Sequence, residues 1–177
     1  MLTLRLATEA DLPALRALMT RAIAELQSGF LNAAQVEASK AVMGLDTQLI
    51  ADNCYFLAEI DGHLAGSGGW SRRATLYGGD HSAGRDARML DPESEPARIR
   101  AMYTDPAHVR RGVGSAVLAA CENAARVAGF GRVELMATLS GEPLYAAAGF
   151  QAIERIEDSN GGTPVPLIRM GKALVSC

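Results

Sequence analysis

The stretch Val109-Arg110-Arg111-Gly112-Val113-Gly114-Ser115 decides how this chain is read. It follows a strand-like run, Ile99-Arg100-Ala101-Met102-Tyr103, and precedes an apolar-periodic segment over 114–128. A strand, a tight basic glycine turn and a helix start together make a site for a diphosphate. The first turn of a helix carries unpaired backbone N–H groups and a partial positive charge. Glycine lets a ligand approach that backbone closely, and Arg110 and Arg111 add formal charge. Along the helix, Val113, Ala116, Val117, Ala120, Cys121 and Ala124 fall on one buried stripe.

Working outward, Leu2, Leu4 and Leu6 alternate with polar residues and predict an opening strand. Thr8, with Asp11 three positions on, caps a helix whose stripe is Leu12, Leu15, Met19, Ala22, Ile23 and Leu26. Asn32 caps a second helix over 33–43, and Asp46 a short third one reaching Ala51. Residues 54–60 and 63–70 read as strands joined by Asp61-Gly62, a strong two-residue hairpin signal. The segment 71–95 has Gly78-Gly79, Gly84, Pro92 and many charges but no period. It reads as a long excursion between strands, and such loops are functional or mobile. Strands follow at 97–104 and 132–138, a short helix at 143–148, and an antiparallel pair at 150–157 and 165–170. This order predicts a mixed α/β sheet in a single domain over 1–177.

The 177 residues suffice for one core. With 17 basic against 20 acidic residues, the charge balance gives no support for nucleic-acid binding. No apolar run approaches the length of a membrane span, and the N-terminus lacks a signal-peptide pattern, so a cytoplasmic protein is expected. Cys54, Cys121 and Cys177 are odd in number and not in metal-like spacing, so no metal site is expected and Cys54 and Cys121 read as small core residues. No segment demands self-association, and a homodimer stays open.

Two other glycine motifs are excluded. A dinucleotide fingerprint needs a third glycine near Val117, and a Walker loop needs Gly-Lys-Ser/Thr. The arrangement from Ala97 to Phe150 instead resembles the GNAT superfamily of N-acetyltransferases. Thr104-Asp105-Pro106 leading into Val109–Gly114 looks like that family's Q/R-x-x-G-x-G/A loop, which holds the pyrophosphate of acetyl-CoA. The strand at 132–138 follows, and then Leu144-Tyr145-Ala146-Ala147-Ala148-Gly149-Phe150, similar to the family's Tyr-x-x-x-Gly-Phe segment. One departure is Val109, where the family has Gln or Arg. Its cost should be small, because backbone N–H groups make most of the phosphate contacts.

The resemblance implies a mostly antiparallel sheet flanked by helices, with acetyl-CoA as acyl donor in a cleft between the strands at 97–104 and 132–138. It implies that Met102, Tyr103 and Thr104 offer backbone to the pantetheine arm. It also implies that Val109, Arg110, Arg111, Gly112, Val113, Gly114 and Ser115 hold the diphosphate. An N–H near Met102 would polarise the thioester carbonyl. Tyr145 would protonate the leaving thiolate, since a phenol with a pKa of about 10 keeps its proton at neutral pH. The implied reaction is transfer of acetyl to a primary amine by direct attack in a ternary complex, the amine expected on a small molecule, with a protein N-terminus or lysine left open.

A general base is harder to find. Asp91, Glu93 and Glu95 lie upstream in the excursion, where a solvated charge is the ordinary use, and Glu134 sits on the later strand. Arg72, Arg73, Arg98 and Arg100 either favour a substrate carrying a carboxylate or phosphate, or form surface salt bridges. His63, His81 and His108 are scattered, with His108 beside the phosphate loop. Trp70 and Tyr77 line an acceptor pocket or cover the core edge. The rival reading is a non-catalytic acyl-CoA-binding or sensing module, which keeps the phosphate loop and lacks an acceptor site.

Overall fold

The structure, a computed structural model, describes residues 1–175; Cys177 lies outside them. Its elements in chain order are β1 (Leu2–Leu6), α1 (Leu12–Leu26), α2 (Ala33–Ser39), α3 (Thr47–Ala51), β2 (Tyr55–Ile60) and β3 (His63–Ser71). Then come β4 (Ala97–Thr104), α4 (Val113–Val127), β5 (Arg132–Thr138), α5 (Glu142–Ala147), β6 (Gln151–Asp158) and β7 (Val165–Ala173). The strands form one sheet in the order β1-β2-β3-β4-β5-β7-β6, antiparallel except at β4–β5. The expected mixed, mostly antiparallel α/β architecture is therefore present.

The β2–β3 hairpin turns at Asp61-Gly62, both at positive φ (51° and 81°), the conformation of a type I′ turn. Helix α1 buries Leu15, Leu18, Met19, Ala22 and Ile23 in the main core. Helix α4 rides on β3 where that strand is glycine. A Cβ added at Gly66 would stand 2.4 Å from Val113 Cγ1, and one at Gly68 would stand 2.6 Å from Val117 Cγ1. The helix thus rests nearly on strand backbone. A smaller core joins Leu31, Ala38 and Val42 to Val165 and Leu167, placing α2 over β7.

Three local expectations are corrected. The Thr8/Asp11 capping box serves a 3-10 turn, Glu9–Asp11, and α1 starts only at Leu12, with Pro13 in its first turn. The helix expected over 33–43 ends at Ser39. There the Ser39 hydroxyl donates back to Val36 O at 2.7 Å, and the amides of Lys40, Ala41 and Val42 bond three residues back in tight turns. The closing strand runs on to Ala173, where residues 167–173 pair with the whole of β5.

The excursion over 71–95 is a built arm. Its two limbs bond through Leu90 N–H to Arg72 O, Ala74 N–H to Arg88 O and Thr75 N–H to Asp86 O, at 2.7–2.9 Å. Arg73 reaches Asp52, Ser82 Oγ donates to Ala41 O, and the Tyr77 hydroxyl donates to Asp158 at 2.7 Å.

Near the N-terminus, Arg5 grips Asp11 with two hydrogen bonds (2.9 and 2.8 Å), and the Thr8 amide adds a third. The Arg5 guanidinium above all holds the Asp11 carboxyl well below the ordinary carboxylate range. A carboxylate with a depressed folded pKa stabilises the fold above its unfolded pKa, near 4, and that contribution fades as pH falls toward the folded value. Asp11→Asn should cost ~1 kcal/mol at neutral pH. Urea unfolding at a series of pH values should show the gap to wild type narrowing steadily below about pH 5.

Candidate active site

Strands β4 and β5 pair in parallel only at Ala97↔Val133 and Arg98↔Glu134. Beyond that point β5 stays with β7, while β4 is bulged. Ala101 and Met102 together face Gly68, the register shifts there, and Ala101 takes φ +52°. The two strands diverge around a cleft of about 390 Å³. A bulge frees backbone polar groups from the ladder, so this part of β4 can serve a ligand.

One half of the cleft is the glycine turn. The Asp105 side chain accepts the Ala107 N–H at 2.9 Å and pairs with Arg21 at 2.5 Å, fixing a 3-10 turn at Pro106–His108. The chain then passes through Arg110 and Gly112, at φ +59° and +79°, into α4. Gly112 is the N-cap, and its left-handed backbone is one that a Cβ would strain. The amides of Val113, Gly114 and Ser115 open the helix with no carbonyls behind them. Gly114 faces Leu144, whose Cδ2 would lie 2.9 Å from an added Cβ.

The structure gathers most of the residues singled out from sequence here. Met102, Tyr103 and Thr104 line the cleft from β4. Val109, Arg110, Gly112, Val113, Gly114 and Ser115 line it from the turn and helix start. Arg111 is exposed and does not line it; its charge acts on Asp61 instead. Tyr145 lines the cleft from α5, its ring edge-on to Phe150 at 5.9 Å. Burial pushes the Tyr145 hydroxyl above the ordinary tyrosine value, so it stays protonated. Among the described residues that hydroxyl has no hydrogen-bond partner. The Tyr103 hydroxyl, by contrast, accepts the Gly44 N–H at 2.8 Å and anchors the α2–α3 segment to β4.

The other half is walled by α1, the α2–α3 segment, the excursion arm and β7, through Leu26, Phe30, Met43, Leu76, Tyr77 and Leu167. Tyr77 is pushed up to about 12, by burial first and then by Asp158. Trp70 is elsewhere: it packs edge-on against Phe130 in the core, under Arg72.

Three of the four candidate bases are committed: Glu134 takes Arg98 at 3.1 Å and Arg169 at 2.6 Å, Glu95 takes Arg88 at 2.9 Å, and Asp91 accepts from Ser94 and the Glu93 amide. The fourth, Glu93, is exposed and lies outside the cleft lining. Among the described residues no carboxylate lines the cleft. His108 does line it, and its Nδ1 has no hydrogen-bond partner. His81 lies outside it, with Nε2 2.6 Å from Lys40 O.

Of the four arginines weighed from sequence, Arg73 pairs with Asp52, Arg98 with Glu134, and Arg72 covers Trp70. Arg100 alone is buried and lines the cleft, paired with a fully buried Asp46. Burial pulls the Arg100 guanidinium below its ordinary value, and Asp46 opposes that shift. Sequence reading missed Asp46 as anything but a helix cap and missed Gln27 altogether. Gln27 sits just past α1, is buried, and lines the same cleft.

No curated protein matches the chain. Solved structures do. A GCN5-related N-acetyltransferase from Rhodopseudomonas palustris superposes with a TM-score of 0.72 at 20% identity, covering 97% of this chain and 95% of that one. PaiA N-acetyltransferase from Thermoplasma acidophilum, solved in complex with coenzyme A, gives 0.67 at 14% identity, covering 98% and 99%. The ribosomal-protein-S18-alanine N-acetyltransferase from Escherichia coli gives 0.60 at 16%, covering 100% and 96%. At such identities the likeness concerns the fold. The sequence profile of the Acetyltransferase (GNAT) family, however, matches residues 17–150, and the chain therefore belongs to that family.

Proposed function

We propose that this protein moves an acetyl group from acetyl-CoA to a primary amine on a small molecule, by direct attack within a ternary complex. The observation that carries this reading is the cleft itself. The helix-start amides, the bulged β4 backbone and the Tyr145 hydroxyl all open onto one cavity. The diphosphate rests on the amides of residues 112–115, with Arg110 beside it. The pantetheine arm lies along Met102–Thr104, and an amide near Met102 stabilises the oxyanion. The amine nitrogen forms the new C–N bond, the C–S bond breaks, Tyr145 gives its proton to the departing thiolate, and the proton shed by the nitrogen passes through water to restore the Tyr145 hydroxyl. Much of the rate comes from holding both reactants in line.

Two features support a small acceptor. The excursion arm is strapped across to β6 through Tyr77 and Asp158, and the α2–α3 segment is tied to β4 through Tyr103 and Gly44. The resulting wall suits a compact molecule better than an extended chain. All described elements wrap one sheet, which supports a single domain. Cys54 and Cys121 are free and buried, which fits a reducing, cytoplasmic setting.

The sensing alternative draws on one observation, the lack of a carboxylate in the cleft lining. Direct attack does not require one, because an amine can arrive neutral or lose its proton to water. The test is thiol release from acetyl-CoA across a panel of primary amines, from neutral to mildly alkaline pH. Steady turnover with some members is expected. Saturable acetyl-CoA binding with no thiol release from any amine would favour the sensing module.

A further inference from the structure

Arg100 is 4% exposed, yet its guanidinium is only partly used. Both of its described contacts, to Asp46 and to Gly78 O at 3.1 Å, go through Nη2. Its Nε has no hydrogen-bond partner among the described residues. Asp46 Oδ1 takes Arg85 at 3.1 Å, and its Oδ2 meets Arg100 as an ion pair without an aligned hydrogen bond among the described residues. Two guanidiniums therefore share one buried carboxylate. Asp80, which also acts on Arg100, is engaged by the Thr47 amide and hydroxyl.

A second orphan lies in the same cleft. Gln27 is 3% exposed, and its Oε1 has no donor, while its Nε2 faces only the Met43 sulfur at 3.9 Å. Around these two groups the lining is apolar: Leu26, Phe30, Val42, Met43 and Leu76. Buried polar groups are ordinarily satisfied, so unmatched ones beside a cavity mark what its occupant brings. The demand is for an anionic acceptor at Arg100 and an N–H donor at Gln27, on an apolar body.

We propose that the acceptor is an amino acid with an apolar side chain, whose carboxylate is received by the unspent N–H edge of Arg100 and whose amine is oriented by Gln27. A guanidinium edge matches a carboxylate in shape as well as charge. This assignment rests on the acetyl-transfer reading of the cleft, and its test separates the two.

The experiment compares leucine with leucinamide and isoamylamine, and phenylalanine with phenethylamine. Two readouts are taken on the wild-type protein: calorimetric affinity for the coenzyme-A-loaded form, and thiol release with acetyl-CoA. Leucine or phenylalanine should exceed its carboxylate-free partner at least about tenfold in affinity and in kcat/KM, because a site built to bond a polar group discriminates against analogues lacking it. Arg100→Gln should erase that preference while keeping acetyl-CoA affinity.

The proposal is overturned if the carboxylate-free amines equal or surpass the amino acids. It is equally overturned if neither amino acid binds the loaded protein. Tight amino-acid binding without thiol release would leave the carboxylate site standing and remove the acetyl-transfer reading. Should Arg100→Gln fail to fold, the wild-type pairs still decide the question.

Discussion

Tyr145→Phe should lower kcat by about two to four orders of magnitude and leave acetyl-CoA affinity nearly unchanged. The substitution is clean for a structural reason. The ring keeps its edge-on contact with Phe150, and the hydroxyl that disappears has no hydrogen-bond partner among the described residues. Folding stability should therefore hold, and the loss should fall on the chemical step. The raised pKa of the wild-type hydroxyl adds a second readout. Ionisation of this phenol should cost no activity at any pH below about 10. Stopped-time thiol assays with titrated acetyl-CoA check both points. An unchanged kcat in Tyr145→Phe would remove the residue from the mechanism.

The second large effect concerns folding. Asp46→Ala removes the carboxylate that two guanidiniums share and leaves Arg100 charged, buried and uncompensated. Breaking a buried pair from one side costs about 3–5 kcal/mol. In a chain of this size that lowers Tm by about 10 °C. The Asp46→Leu/Arg100→Met double variant should recover most of the loss, because matched apolar groups need no partners. Arg85, less buried, still has the Gly78 and Gly79 carbonyls. Thermal unfolding of the single and double variants is the check. Equal losses in both would mean that the pair's electrostatics contribute little.

What could be read from residue order alone had local causes. Gly112 and Gly114 before a helical stripe, Asp61-Gly62 between alternating runs, and Tyr145 ahead of Gly149-Phe150 each encode their geometry within a few positions. The bulge at Ala101 does not. Alanine has no preference for φ +52°, and only the register against Gly68 imposes it. Asp46 and Arg100 meet from distant parts of the chain, so their spacing carries no signal. The end of the second helix at Ser39 has no local signal of that kind: a side-chain hydroxyl turns back on the backbone there, and only the fold shows it. The excursion over 71–95 has no period because its order comes from bonds to other segments, as at Asp52, Ala41 and Asp158.

The bare strand under α4 has a consequence for anyone trying to toughen this protein. Swapping strand glycines for β-branched residues is an ordinary stabilising recipe. At Gly66 or Gly68 even a methyl group would jack the helix off its bed. Such a graft would drag the anion cradle out of line with the bulged strand, so a sturdier scaffold would come with a dislocated donor seat.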